Sequence, residues 1–279
     1  MAELLFGTAG VPHSARERST VSGIERSHEL GLGGMEMEFV RGVNMTEDTA
    51  REVAQAAVAT GIRLSAHAPY YINLNSREAG KIKASQERLL KTARIAGLCG
   101  GRSVIFHAAF YMGGPAQQAY DNVKQYLAEV VAQLREEDNQ VTLRPEVMGK
   151  VSQFGTIEET LRLCQELAGI APCIDFAHWH ARTGKANSYD EFVAVLKEVQ
   201  DYLGRAALDD IHIHLSGINY GAKGERNHLN LRDSDMNYLE LLQALRDEGV
   251  GGLVICESPN LEEDAQLLQQ TYLDLLAKG

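Results

Sequence analysis

Side chains that bind divalent cations or move protons recur in this sequence at the ends of short β-rich runs. His67 closes one such run, His107 the next and Glu146 the one after. Asp175 ends a fourth, with His178 and His180 just beyond it. His212 and His214 alternate on a fifth, and Glu257 ends a sixth. Six of the nine histidines fall at these positions, whereas random placement would scatter them. A carboxyl or imidazole aimed into a confined cleft costs desolvation unless something pairs with it. Glu146, Asp175 and Glu257 cannot all stay ionised in one small cleft without cations. Zinc or manganese would resolve the conflict, because imidazole and carboxylate suit both. Ligands converging from six strands could hold two or more ions about 3.5–4 Å apart, an arrangement suited to in-line displacement at phosphorus.

The elements that must deliver these groups follow a regular alternation. Short β-rich runs occupy 4–9, 34–40, 63–68, 103–108, 141–147, 172–177, 210–215 and 252–257. Helical patterns fill the intervals, as over 46–60, 233–249 and 260–277, with small apolar residues at helical spacing. Thr156 before Glu158 and Glu159, and Ser188 before Asp190 and Glu191, read as capped helix starts with acids in the first turn. Glycines 31, 61 and 249 read as helix ends. Eight units at roughly 35 residues each predict a single α/β domain over 1–279, a (β/α)8 TIM barrel. An open doubly wound sheet also alternates, but gives no reason for polar residues at strand end after strand end. In a barrel those ends, with the loops after them, build the active site.

Bulk properties narrow the function classes. The formal net charge of −11 is awkward for a protein that coats nucleic acid, since duplex affinity comes from Lys and Arg neutralising phosphates. Bound cations would offset negative charge locally, so the balance argues against broad DNA coating more than against a local phosphate site. No run approaches the roughly 18 apolar residues of a membrane span, and the first ten residues lack the pattern of a secretory signal. Cys99, Cys164, Cys173 and Cys256 lie far apart without CxxC spacing, so no disulfide framework is expected and a reducing cytoplasm is the default. Nothing calls for an obligate protein partner.

Some polar residues read as support rather than chemistry. His212 lies two residues before His214, on the same strand face but deeper, and is expected to be a core histidine. His180 is expected on the rim and His13 in a loop. Glu36 and Glu38 share the face opposite Met35, Met37 and Phe39, which should pack against helices, so both glutamates should point into the barrel. Arg144, two before Glu146, should also point inward. A structural ion pair between Arg144 and one of these glutamates is predicted.

In order along most of the chain, the segments resemble the endonuclease IV family of apurinic/apyrimidinic endonucleases, within the xylose-isomerase-like barrel group. His67-Ala68-Pro69-Tyr70-Tyr71-Ile72-Asn73-Leu74, Phe106-His107 and Pro145-Glu146 resemble its third, fourth and fifth strand ends. Cys173-Ile174-Asp175-Phe176-Ala177-His178 is similar to its Asp-x-x-His pattern, and His214-Leu215 and Glu257-Ser258-Pro259 to its last two signatures. The resemblance implies three zinc ions, with Glu146 bridging two of them. His67 and His107 would bind one of the pair, and Asp175, His214 and Glu257 the other. The third ion would take His178 and an Asp-x-His pair; here Glu225-Arg226-Asn227-His228 stands instead, with glutamate and a spacing one longer. Glu225 and His228 are the residues expected there, the extra methylene changing the reach. Val147-Met148-Gly149 replaces the family's Asn-Thr-Ala-Gly, and Ser216-Gly217 its Asn-Asp. Tyr70 matches a position near the DNA, and Arg41 alone suggests a contact after the second strand.

The activity this implies is hydrolysis of the phosphodiester 5′ to an abasic site, leaving a 3′ hydroxyl, by water that zinc acidifies to a pKa of about 7. DNA containing abasic sites would be the partner, and Glu146 the catalytic residue, positioning the nucleophile. The alternative is a metal-dependent sugar isomerase or epimerase of the same barrel group, because Glu146, Asp175, His214 and Glu257 resemble its four-ligand set as well. His67 and His107 tip the balance, since one catalytic metal does not need them. A third reading is a metal-loaded binder without turnover.

Overall fold

Residues 3–278 of the chain are described by a computed structural model. The expected barrel is the observed architecture. Its strands are β1 (Leu4–Ala9), β2 (Gly34–Glu38), β3 (Arg63–His67), β4 (Ser103–Phe106), β5 (Thr142–Pro145), β6 (Cys173–Asp175), β7 (Ile211–Leu215) and β8 (Gly252–Cys256). All are parallel, in the order β5-β4-β3-β2-β1-β8-β7-β6. The seam between β5 and β6 is joined through the isolated bridges Leu143–Ile170 and Glu146–Cys173, so the barrel is nearly closed there.

The helices are α1 (Thr20–Glu29), α2 (Glu47–Thr60), α3 (Ala79–Leu98), α4 (Ala116–Glu136), α5 (Ile157–Glu166), α6 (Phe176–Thr183), α7 (Tyr189–Leu203), α8 (Tyr238–Asp247) and α9 (Glu262–Lys278). Their starts follow local chemistry. Thr46 caps α2 by accepting from the Thr49 amide. Thr156 with Glu159, and Ser188 with Glu191, form reciprocal capping boxes on α5 and α7. α2 buries Ala50, Val53 and Ala57 against the sheet side and ends at Gly61, whose φ of 76° suits glycine.

Strand register sets the barrel interior in layers. Glu36 lies beside Ser65, and Glu38 beside His67. Cys173 pairs with His212, and Asp175 with His214. Because side chains in register share a face, the polar residues of β2, β3, β6 and β7 all enter the barrel.

Three expectations are corrected here. Asp175 accepts from the His178 amide at 2.7 Å and thereby caps a helix that starts at once after β6, so the β-rich run read over 172–177 stops at Asp175, and His178 and His180 sit on α6. The segment after β7 forms an antiparallel hairpin, Gly217–Gly221 against Gly224–Leu229. His180 is buried instead of lying on the rim, 3.1 Å from the Ala186 carbonyl and 3.2 Å from Asp235. Arg144 is buried but pairs with neither Glu36 nor Glu38. Its guanidinium donates to the Ser103 hydroxyl and to the carbonyls of Pro172 and Asp210, with the Asp210 carboxylate 3.5 Å away. Arg144 turns toward the strand starts, where these acceptors lie, and the two glutamates turn toward histidines.

Candidate metal centre

Glu146, just beyond β5, meets an imidazole on every side. Its Oε2 lies 3.3 Å from His67 Nε2 and 3.1 Å from His107 Nε2. Its Oε1 lies 3.0 Å from His178 Nδ1 and 3.6 Å from His214 Nδ1. Around it the expected residues gather into three groups whose ligand atoms lie within 4.8 Å of one another: His67, His107 and Glu146; Glu146, Asp175, His214 and Glu257; and His178, Glu225 and His228. The first two share Glu146. His178 links to the third, its Nε2 lying 3.5 Å from Glu225 Oε2 and 3.3 Å from His228 Nε2.

The hairpin reaches His178 because two glycines let backbones touch. A Cβ on Gly149 would sit 2.7 Å from the Glu225 Cβ and 3.1 Å from the His178 ring. Gly224 has a φ of 87°, and a Cβ there would overlap the Gly149 carbonyl. That carbonyl accepts from the Glu225 amide at 3.1 Å, fastening the hairpin to the segment after β5. Gly149, within Val147-Met148-Gly149, thus leaves room for Glu225 to lie against His178.

Electrostatics mark the centre as short of positive charge. Burial pushes the Asp175 carboxyl up to about 8, with Glu257 and Glu146 adding to the rise against the pull of His178. Burial likewise raises Glu38, to about 8. Burial would also raise Glu146, but His107 and the bonds from His107, His178 and His214 hold it well below the usual carboxylate range. For His67, burial opposes the charged ring, yet the bond to Glu146 and the charges of Glu38 and Glu146 lift it to about 10. His178 is raised in the same way by Asp175 and Glu146.

The residues suit divalent cations. Asp175 Oδ2, Glu257 Oε2 and His214 Nδ1 are buried without a hydrogen-bond partner, a costly state that a shared cation would relieve. The donors are oxygen and imidazole nitrogen, which fits zinc or manganese. A cleft of 290 Å³ opens over them, lined also by Tyr70, Phe110, Lys150 and Gln153. Tyr70 is 55% exposed and stacks on His107 at 5.5 Å between ring centroids. Arg41 is exposed and does not line the cleft. Lys150, 3.9 Å from Glu225, escaped notice in the sequence because no strand end or histidine flags it.

The chain is similar to proteins of several kinds. An uncharacterized protein of Methanocaldococcus jannaschii is 46% identical over 273 residues, covering 98% of each chain. A probable endonuclease 4 of Mycoplasma pneumoniae is 24% identical over 202 residues, 70% of this chain and 67% of the other. Among solved structures, endonuclease IV from Thermus thermophilus superposes with a TM-score of 0.75 at 17% identity over the whole of both chains. A D-tagatose 3-epimerase-like protein does so with 0.73 at 18% identity, over 100% of this chain and 98% of the other. At those identities the superpositions establish the fold alone. No helix among the described residues is long and apolar enough to cross a membrane. A family model matches residues 24–274, and on that match the chain belongs to the xylose isomerase-like TIM barrel family, whose members are enzymes that bind divalent metals.

Proposed function

We propose that this protein is a metal-dependent phosphodiesterase of the endonuclease 4 type, cutting DNA 5′ to abasic sites. The observation that carries the reading is the position of Glu146, with His67 and His107 on one carboxylate oxygen and His178 and His214 facing the other. A centre for one ion has no use for His67 and His107; a centre for several ions sharing Glu146 uses both.

His67, His107 and Glu146 would hold one cation, Glu146, Asp175, His214 and Glu257 a second, and His178, Glu225 and His228 a third. Ions held there would acidify water and offset charge on phosphoryl oxygens. The chain's own groups do the rest. Glu146 fixes the spacing between the first two groups because each of its oxygens is committed to different rings. Lys150, on the cleft wall, offers a cation to a non-bridging phosphate oxygen. Tyr70 turns an exposed ring toward the cleft mouth, a surface on which a sugar or a base beside the abasic gap can lie.

The sugar isomerase or epimerase reading keeps one specific support, the four-residue group Glu146, Asp175, His214 and Glu257, which suffices for a single ion. The two readings part on substrate and on stoichiometry. Protein loaded with zinc or manganese is incubated with a duplex carrying a tetrahydrofuran abasic analogue, and separately with ketohexoses. Incision at the analogue but not in intact duplex, with more than one ion per chain, supports the nuclease. Absence of incision by protein shown to carry its ions, together with epimerised ketose, replaces it with the isomerase.

A further inference from the structure

One layer beneath the ligands, Glu36 has no lysine or arginine in contact among the described residues. It is fully buried, and the ion-pair contacts it makes among the described residues are with His212 and His214. Arg144, the cation nearest in kind, is committed to Ser103, Pro172 and Asp210. A buried carboxylate needs compensating donors, and those it meets are the Ser65 hydroxyl and the N–H groups of the two imidazoles.

The arrangement is asymmetric. Oε2 accepts from the Ser65 hydroxyl at 2.6 Å and lies 3.0 Å from His212 Nε2. With Oε2 so occupied, the carboxylate presents Oε1 to His214 Nε2 at 2.9 Å, a contact short of hydrogen-bond alignment. The opposite ring nitrogen, His214 Nδ1, faces Glu257 Oε1 at 3.4 Å and Glu146 Oε1 at 3.6 Å. One edge of the His214 ring therefore faces a fixed negative charge and the other faces the centre. Cys173 also neighbours the ring, as a buried side chain.

We infer that Glu36, held by Ser65 and His212, is a positioning residue for the metal centre: it fixes a proton on His214 Nε2 and so leaves Nδ1 free as the ligand nitrogen. Glu36 reaches His214 across the barrel, from β2 to β7. Outer carboxylates of this kind orient a ligating histidine and raise its basicity, and their loss weakens metal binding by roughly 10–100-fold. The inference rests on the proposed multi-ion centre.

The test is metal binding by Glu36→Gln, which keeps the shape and removes the charge. Affinity is read by competition with a chromophoric chelator, and the ligand field by visible absorption of the cobalt-loaded protein. Glu36→Gln is expected to lose 10–100-fold in affinity for one class of ion and to shift one set of cobalt bands, while the remaining ions bind as in the parent. Ser65→Ala, which only loosens the carboxylate, is expected to weaken the same ion by a smaller factor, and it decides the matter should Glu36→Gln fail to fold. Unchanged affinity and cobalt spectrum in a folded variant overturn the inference and leave the multi-ion centre standing. A parent protein that binds one ion or none overturns both.

Discussion

Near the starts of β6 and β7, the buried Arg144 finds a partner in each direction: a hydroxyl, two carbonyls and the Asp210 carboxylate, which Arg63 also contacts. At the opposite end the ion-pair contacts of Glu146, Asp175 and Glu257 among the described residues are with imidazoles, and atoms of Asp175, His214 and Glu257 are left without partners. Both ends bury charge within the same fold. One end is complete as a set of protein groups. The other leaves buried acceptors that a cation would satisfy, and unsatisfied buried polar groups of that kind concentrate where proteins work on other molecules.

The contrast can be broken most forcefully at Glu146. Glu146→Gln is expected to lower incision of the abasic duplex by a factor on the order of 10³ or more, and to reduce the ions per chain, while the melting temperature of the metal-free protein falls little. Full activity in that variant would remove Glu146 from its role. At the other end Arg144→Met is expected to do the reverse: a loss of about 2–4 kcal/mol in denaturant unfolding, from acceptors left without donors, with metal stoichiometry intact in the folded fraction. A variant as stable as the parent would show that this end is not held by its polar set.

A pH experiment sharpens the same contrast. Asp175 stays neutral in the fold up to about pH 8 but ionises near pH 4 in an unfolded chain. Between those values the unfolded state binds fewer protons at this site, so its contribution to stability falls as pH rises. In the presence of chelator, Asp175→Asn should therefore melt higher than the parent at pH 8, with the gap closing toward pH 4. Parallel melting curves across that range would contradict the strain assigned to Asp175. Gly149→Ala has a narrower reach: its Cβ pushes against Glu225, so one ion per chain should be lost while those at Glu146 remain. Retention of every ion would mean the hairpin can yield. The smallest change is expected for Tyr70→Ala, a rise in KM of several-fold for abasic duplex, on the order of 1 kcal/mol from lost stacking, with kcat nearly unchanged.

Much of this protein was written in local pattern. The alternation of β-rich and helical runs is enough for the barrel because each unit obeys rules of short range: side chains alternate across a strand, Thr156 and Ser188 cap the helices they precede, and glycine ends α2. The positions of His67, His107, Glu146, Asp175, His214 and Glu257 at strand ends were legible for the same reason, since all strands of a parallel barrel finish on one face. Which partner each buried charge takes was not legible. Glu36 and Arg144 both point inward, and no local rule says that one turns to histidines on β7 while the other reaches Asp210. That choice depends on how far each strand is staggered around the barrel. The hairpin and the helix begun by Asp175 likewise await tertiary contacts: Glu225 arrives beside His178 only because Gly149 and Gly224, 75 positions apart in the chain, bring two backbones together. Sequence fixes which groups enter the interior; packing decides which of them meet.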